Sequence, residues 1–393
     1  MKHPDIIVKG EMNGEGMVIH HKTKKGTDIF GLGIPNIYGN ADWDLGPTWC
    51  YIIDGQNTVL IDTGRFGNLE VFKTLLPSID MELPDIEKVI ITHSHEDHDG
   101  NLAEILTSSK AELWAHSIYR RMIIYHPDID NGATYPKFPG SCRLCPMPEK
   151  MHRDCLPYQQ KRSLLKIDHT IRDKEKTVEN NLFFMHTPGH TPDSICIILE
   201  GEVIFTGDTL LPEITPHPTR AATFDVNCHI LPEEFRQSNR IYGLATYIAS
   251  LQRIASIPLP PDHATFPSHR LFYNNRFNLI HKTSDRANDI IRFHIDRCAD
   301  ILTIIGNKPS SVDEIAIQYF PTYLLKGVGK VLGENEISAH IEILEASGDI
   351  CYKGEKKHLV HPTGTNNFLK TLNFYLSPLD SNSDLLTKAN LIK

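Results

Sequence analysis

Thr92-His93-Ser94-His95-Glu96-Asp97-His98 packs three imidazoles and two carboxylates into seven residues. The run Val89-Ile90-Ile91-Thr92 before it reads as a short buried strand, and Asp99 to Leu106 after it opens as a helix. A loop leaving a buried strand is where a rigid sheet best positions functional side chains. Residues two apart on extended chain point the same way, so His93 and His95 are spaced to hold one ion while Asp97 and His98 turn towards a neighbouring one. Neutral imidazole suits zinc or iron, and a carboxylate adds a hard oxygen ligand.

Working outward, Cys50 to Asp54 and Thr58 to Asp62 form a β-hairpin around Gly55-Gln56-Asn57, and its second strand delivers Asp62 to a loop ending at Gly64. Leu182 to Met185, Ile195 to Leu199 and Val203 to Phe205 read as further strands, with more metal-type residues at their ends. Residues 232–256 carry a helical pattern that the prolines at 258, 260 and 261 terminate, and a strand-like exit to His263 follows.

In this order the residues resemble the metallo-β-lactamase superfamily, whose hallmark is T-H-x-H-x-D-H. The resemblance runs through Asp62-Thr63-Gly64, His186-Thr187-Pro188-Gly189-His190, Phe205-Thr206-Gly207-Asp208 and Pro261-Asp262-His263, over about residues 45 to 265. It implies an αββα sandwich with a two-metal site: His93, His95 and His190 on the first ion, Asp97, His98 and His263 on the second, and Asp208 bridging. It also implies that Asp62 supports the loop, while His186 has a supporting or packing role. Two features depart from the pattern. Pro260-Pro261-Asp262 replaces the usual Pro-Gly before the last histidine, which makes His269 a rival to His263, and Asp193 stands where glycine is usual, a change we read as ending a turn.

From about Ser284 the pattern becomes helix, helix, helix, hairpin: 286–305, 312–320 behind the capping box Ser311-x-x-Glu314, 336–346, then strands around Gly354-Glu355. This resembles the subgroup with a C-terminal winged-helix domain, which includes endoribonucleases and thioesterases. The expected organisation is a catalytic domain over residues 1–283, with a Cys-rich insertion at about 117–181, and a winged-helix-like domain and tail over 284–393. Its third helix is acidic and would repel phosphate, so we read it as a lid or packing module.

Within the insertion, Cys142, Cys145, His152 and Cys155 have the spacing of a structural zinc site, with reduced loop cysteines as the alternative. From 141 to 176 nine Lys and Arg face five acids, so the segment is cationic in a chain of net charge -9. That pattern suits a docked anionic group, or simply a solvated face. The overall acidity argues against a dedicated nucleic-acid binder. At 393 residues, 40% hydrophobic, with no signal-like N-terminus and no apolar run long enough for a membrane span, the chain is expected to be cytoplasmic, with homo-oligomerisation left open.

The chemistry these residues imply is hydrolysis by a metal-bridging hydroxide, with zinc, iron or manganese as the divalent pair and Asp97 orienting the nucleophile and moving its proton. The expected substrate is a small anionic thioester or ester such as an acyl-CoA, the alternative being single-stranded RNA. His116, His126, His217, Arg220 and His229 are expected to be exposed loop residues.

Overall fold

The structure is a computed structural model, and it describes residues 3–36, 44–124, 157–179, 181–238, 240–353 and 359–376. Two sheets face each other. The larger holds β1 (Asp5–Val8), β2 (Val18–Lys22), β3 (Asp28–Ile34), β4 (Thr48–Asp54), β5 (Val59–Ile61), β6 (Lys88–Ile90), β7 (Glu112–His116) and β8 (His169–Ile171) in sequence order. The first five strands pair antiparallel and β5 to β8 run parallel. β9 (Leu182–His186), β10 (Ile195–Leu199), β11 (Val203–Gly207) and β12 (Ala264–Pro267) make the smaller sheet, in which β11 and β12 are parallel.

Tyr51, Phe205 and Phe266 stack between the sheets at the centre of a buried apolar layer. A second core lies on the outer face of the large sheet, beneath α1 (Leu69–Leu75), α2 (Leu102–Ser109) and α3 (Tyr119–Ile123). Helix α4 (157–163) and the short α5 (Thr223–Asn227) flank the sandwich. The third core covers the outer face of the small sheet, where Met185, Cys196, Ile198 and Ile204 meet α6 (Leu244–Ala255), α7 (Thr283–Ile305), α8 (Val312–Tyr319), α9 (Val328–Ala346) and α10 (Phe368–Leu376). The layers are thus helix, sheet, sheet, helix, as the family resemblance implied. Short hairpins β13 (Phe272–Tyr273) with β14 (Arg276–Phe277), and β15 (Ile350–Tyr352) with β16 (Val360–Pro362), complete the described elements.

Three boundaries differ from the sequence reading. The helical pattern over 232–256 becomes a helix only from Leu244, because Gly243 sits at φ 92° with Ala221 against it, and a right-handed helix cannot run through that conformation. α2 starts at Leu102 rather than Asp99, since the Asp99 and Asn101 side chains are bonded elsewhere. α9 begins eight residues before Glu336. Gly333 lies inside it because a Cβ there would come within 2.8 Å of Leu325 and 3.3 Å of Phe320, so the small residue permits close packing rather than a stop. The Ser311/Glu314 capping box at the start of α8 forms as the sequence indicates. Cys142, Cys145, His152 and Cys155, with His126, lie outside the described residues.

Candidate metal centre

Parallel strands present their C-terminal ends together, and here those ends converge. β6 feeds the Thr92–His98 loop, β11 leads into Asp208, β12 leads towards His269, and the turn after β9 carries His190. Two groups of ligand atoms result, each lying within 4.8 Å: His93, His95, His190 and Asp208, and beside them Asp97, His98 and His269. In the first group His95 Nδ1 is 3.2 Å from both His93 Nε2 and His190 Nε2, and His190 Nε2 is 3.6 Å from Asp208 Oδ2. In the second, His269 Nε2 lies 3.2 Å from Asp97 Oδ2, and the other carboxylate oxygen of Asp208, Oδ1, is 3.4 Å from His269 Nε2 and 3.5 Å from His98 Nε2. Asp208 therefore presents one oxygen to each group.

The far side of each ring fixes which nitrogen faces inward. His98 Nδ1–H donates to Asp62 Oδ2 at 2.8 Å, His190 Nδ1–H to the His217 carbonyl at 2.8 Å, and His269 Nδ1–H to the Pro47 carbonyl at 3.1 Å. His93 Nδ1–H reaches Thr92 Oγ1, whose own proton goes to Asp62 Oδ2. Each of these four rings is left with a bare Nε2 aimed at the centre. Asp62, at φ 60°, also accepts from the Thr92 amide, which fits its expected role of holding the loop.

The electrostatics divide the two groups. Burial keeps His93 well below the ordinary imidazole range and holds His95 and His190 at about 4, so these three are neutral ligands at physiological pH. Burial also pulls on His98 and His269, but Asp208 and Asp97 outweigh it, lifting His98 well above its ordinary value and His269 to about 9. Two carboxylates facing two imidazoles thus demand positive charge. His98 Nε2, His269 Nε2 and Asp208 Oδ1 are buried with no hydrogen-bond partner, a costly arrangement unless a cation satisfies them. The donor set fits divalent metal, and the residues that would hold it are these seven.

His263 is not among them. It precedes β12, so it sits beside Val203 at the opposite end of the strand pair from Asp208; its Nδ1–H donates to the Pro260 carbonyl at 2.7 Å and its Nε2 accepts from Thr283 Oγ1 at 2.5 Å. The carried-over position was one strand length short, and His269 occupies the place expected of it. His186 packs, stacked on the buried His116 ring at 4.0 Å, so His116 is no exposed loop residue. His217 lends its carbonyl to His190, and Arg220 pairs with Glu342. Asp193 does not simply end a turn: it is buried and accepts from Ser94 Oγ at 3.1 Å.

Residues that sequence reasoning missed surround the loop. Asn36 Nδ2 donates to Asp97 Oδ2 at 2.7 Å. Arg162, in the cationic 141–176 segment, is buried, donating to the Ser94 carbonyl at 2.9 Å and pairing with Asp99 at 3.0 Å; Tyr119 and Tyr158 donate to the same Asp99 carboxylate. Lys161 pairs with Glu104 at 2.6 Å. On α4, Tyr158, Gln159 and Arg162 are buried on one helix face while Gln160 and Lys161 are exposed, and the i, i+4 spacing of Tyr158 and Arg162 is the signal that could have placed Arg162 inward.

Comparison with known proteins agrees with this geometry. The profile of the metallo-beta-lactamase superfamily matches residues 43–259. A probable metallo-hydrolase of Bacillus subtilis, YqjP, is 24% identical over 336 residues, which cover 81% of this chain and 92% of that protein. An atrochrysone carboxyl ACP thioesterase of Aspergillus fumigatus is 28% identical over 189 residues, 47% of each chain. A beta-lactamase domain protein from Burkholderia ambifaria superposes with a TM-score of 0.62 at 17% identity, covering 91% of this chain and 98% of its own, and so shares the fold.

Proposed function

Because the chain belongs to the metallo-beta-lactamase superfamily and is a metallo-hydrolase in kind, we propose that it hydrolyses a thioester or ester of an anionic carrier at a two-metal centre. The observation that carries this reading is the pair of adjoining ligand groups that share Asp208. His93, His95 and His190 would hold the first ion, Asp97, His98 and His269 the second, with Asp208 between them. When bound, such a pair would supply a hydroxide at neutral pH and polarise the carbonyl oxygen of the ester or thioester whose carbon is attacked.

The chain's own residues do the rest. Asp97 is held by Asn36 Nδ2 and lies alongside His269, with its carboxyl kept below the usual range by His98 and His269 despite burial. It is thus ionised and fixed where it can orient the nucleophile. Asp62, Thr92 and the carbonyls of Pro47 and His217 keep the rings from turning, so no reorganisation is needed when charge develops.

Thioester or ester chemistry is favoured by the resemblance to an acyl-carrier thioesterase and by the overall acidity. Neither Lys161 nor Arg162 is free to grip the carrier, so among the described residues of the basic segment that task falls to Lys166, Arg172, Lys174 or Lys176. The acidity of α9 is no argument against RNA, since Glu336 and Glu342 turn inward onto Arg297 and the 217–222 segment. The winged-helix reading of α7 to α9 and the β15–β16 hairpin stays part of this proposal, as a module whose apolar side is spent on α6 and the small sheet.

The test is a hydrolysis screen of acyl-CoA thioesters, acyl-carrier thioesters, lactones and short single-stranded RNAs with zinc, iron and manganese forms. Thioester turnover with no RNA cleavage is the expected result. Efficient RNA cleavage without thioester turnover overturns the substrate class and leaves the metal centre standing.

A further inference from the structure

His190 reaches the centre from the small sheet on a glycine turn. Gly189 stands at φ 130°, and a Cβ there would lie 2.3 Å from the Tyr247 backbone, so the turn is pressed against α6. Its outer side is gripped by one short segment. His217 O accepts the His190 ring proton at 2.8 Å, while Gly189 O accepts from both Thr219 N at 2.7 Å and Thr219 Oγ1 at 2.8 Å.

That segment is held in turn by α9, more than a hundred residues further along the chain. The Glu342 carboxylate accepts from the Ala221 amide at 2.5 Å and the Ala222 amide at 3.2 Å, and pairs with Arg220 Nε at 3.5 Å. One turn and a half earlier, Glu336 Oε2 lies 3.9 Å from His217 Nε2. Glu336 is buried and bound by the Arg297 guanidinium of α7. With His294 and His340 it forms a third group of metal-type donors, but a dication placed there would face that guanidinium inside the core, with its carboxylate already neutralised. The His294 and His340 rings bond each other at 3.0 Å, and His340 Nδ1–H donates to Glu336 O at 2.7 Å, so the group serves as an anchor.

We propose that Glu342 is a positioning residue for the first metal group: through the 217–222 segment it fixes the His190 ring, so that the C-terminal helices set the affinity of that group for its ion. The inference rests on the two-metal reading above. Two charge-assisted bonds to adjacent amides hold the segment, and a neutral amide in place of the carboxylate offers one acceptor oxygen where two are used. Partners one contact removed from a metal ligand are typically worth about 10–100-fold in affinity, and Glu342 acts one contact further out, at about tenfold.

The experiment titrates metal-free full-length protein with Co2+, measuring both dissociation constants by chelator competition and melting temperature with and without metal. Wild type, Glu342→Gln and Thr219→Val are compared; Thr219→Val removes one of the bonds to Gly189, together with the acceptor of the Gly243 amide at 3.1 Å, without touching α9. We expect two ions in wild type and, in both variants, about tenfold weaker binding of one ion only, with the ring N–H signals of His93 and His190 in the Co2+ form identifying which. The metal-induced rise in melting temperature should shrink accordingly. A purely structural role would lower the melting temperature of metal-free and metal-loaded protein equally and leave the dissociation constants within twofold of wild type; that result in both variants overturns the proposal. A wild type that binds no metal overturns the two-metal reading itself.

Discussion

β12 carries a histidine at each end, and the two have opposite fates. His269, beyond its C-terminal end, leaves Nε2 without a hydrogen-bond partner beside Asp97 and Asp208; His263, before its N-terminal end, has both ring nitrogens bonded, to Pro260 and Thr283. Four strand residues separate the two ends, roughly 13 Å of extended chain. At one end the fold leaves buried polar atoms without a hydrogen-bond partner, and at the other both ring nitrogens of the histidine are bonded. Chemistry and support are thus separated along a single strand, because the parallel β11–β12 pair aims both Asp208 and His269 the same way.

The largest effect should come from breaking the chemical end. Asp208→Ala removes an oxygen from both groups, so it should abolish hydrolysis and leave less than one ion per chain after dialysis. His269→Ala should lower kcat/KM by more than a hundredfold with about one ion retained, since the outer partners of such ligands alone are worth 10–100-fold. His263→Ala should keep both ions. Elemental analysis and rate measurement on the three variants decide the matter; loss of the second ion in His263→Ala but not in His269→Ala would reverse the assignment.

Legibility followed the same division. Asp62, His190 and Asp208 came with the family resemblance, whose motifs lie in the same order along the chain, and the Thr92–His98 loop was readable because ligand spacing and a strand exit are local properties of sequence. The hairpin of β4 and β5 and the capped start of α8 were readable for the same reason. The choice between His263 and His269 was not local. It depends on where β12 begins and on its parallel register with β11, in which Val203 opposes Ala264 and Gly207 opposes Pro267. The inward position of Arg162 was not legible, because a cation in a basic stretch looks solvent-facing, whereas Asp99, Tyr158 and the Ser94 carbonyl together offset its burial. The start of α9 was hidden by Gly333, which breaks a helical pattern on paper but fits against Phe320 in space.

Asp193 sharpens the contrast, since it is a buried acid at the chemical end with Oδ2 unpartnered, and burial raises it to about 6. A carboxyl whose folded value lies above its unfolded value of 3.8 favours the protonated folded state. Its contribution is therefore full below about pH 4 and is lost as pH rises through about 6. Asp193→Asn stays neutral throughout. The variant should be more stable than wild type by roughly 1–3 kcal/mol at pH 8, with the advantage vanishing towards pH 4.5. Urea unfolding of the metal-free proteins across that range gives the difference, and an advantage independent of pH would show that the carboxylate is better satisfied than its geometry indicates.

The smallest effect is expected at the other end of β12, where nothing awaits a cation. His263 joins Pro260 to Thr283 at the first residue of α7, and Thr265 Oγ1 lies 2.8 Å from the same Thr283 hydroxyl. The chain of bonds pins the start of α7 to β12. His263→Leu keeps the bulk but removes the ring's bonds to the Pro260 carbonyl and the Thr283 hydroxyl; the carbonyl still accepts from the residue-263 amide and the hydroxyl can still turn to Thr265, so only part of the loss is felt. We expect about 1–2 kcal/mol of destabilisation, read as an earlier urea midpoint with an unchanged slope. Metal content and kcat should match wild type, because no atom of His263 faces either ligand group. If instead the loss of stability came with loss of one ion, the two ends of β12 would be coupled, and the separation of support from chemistry would not hold.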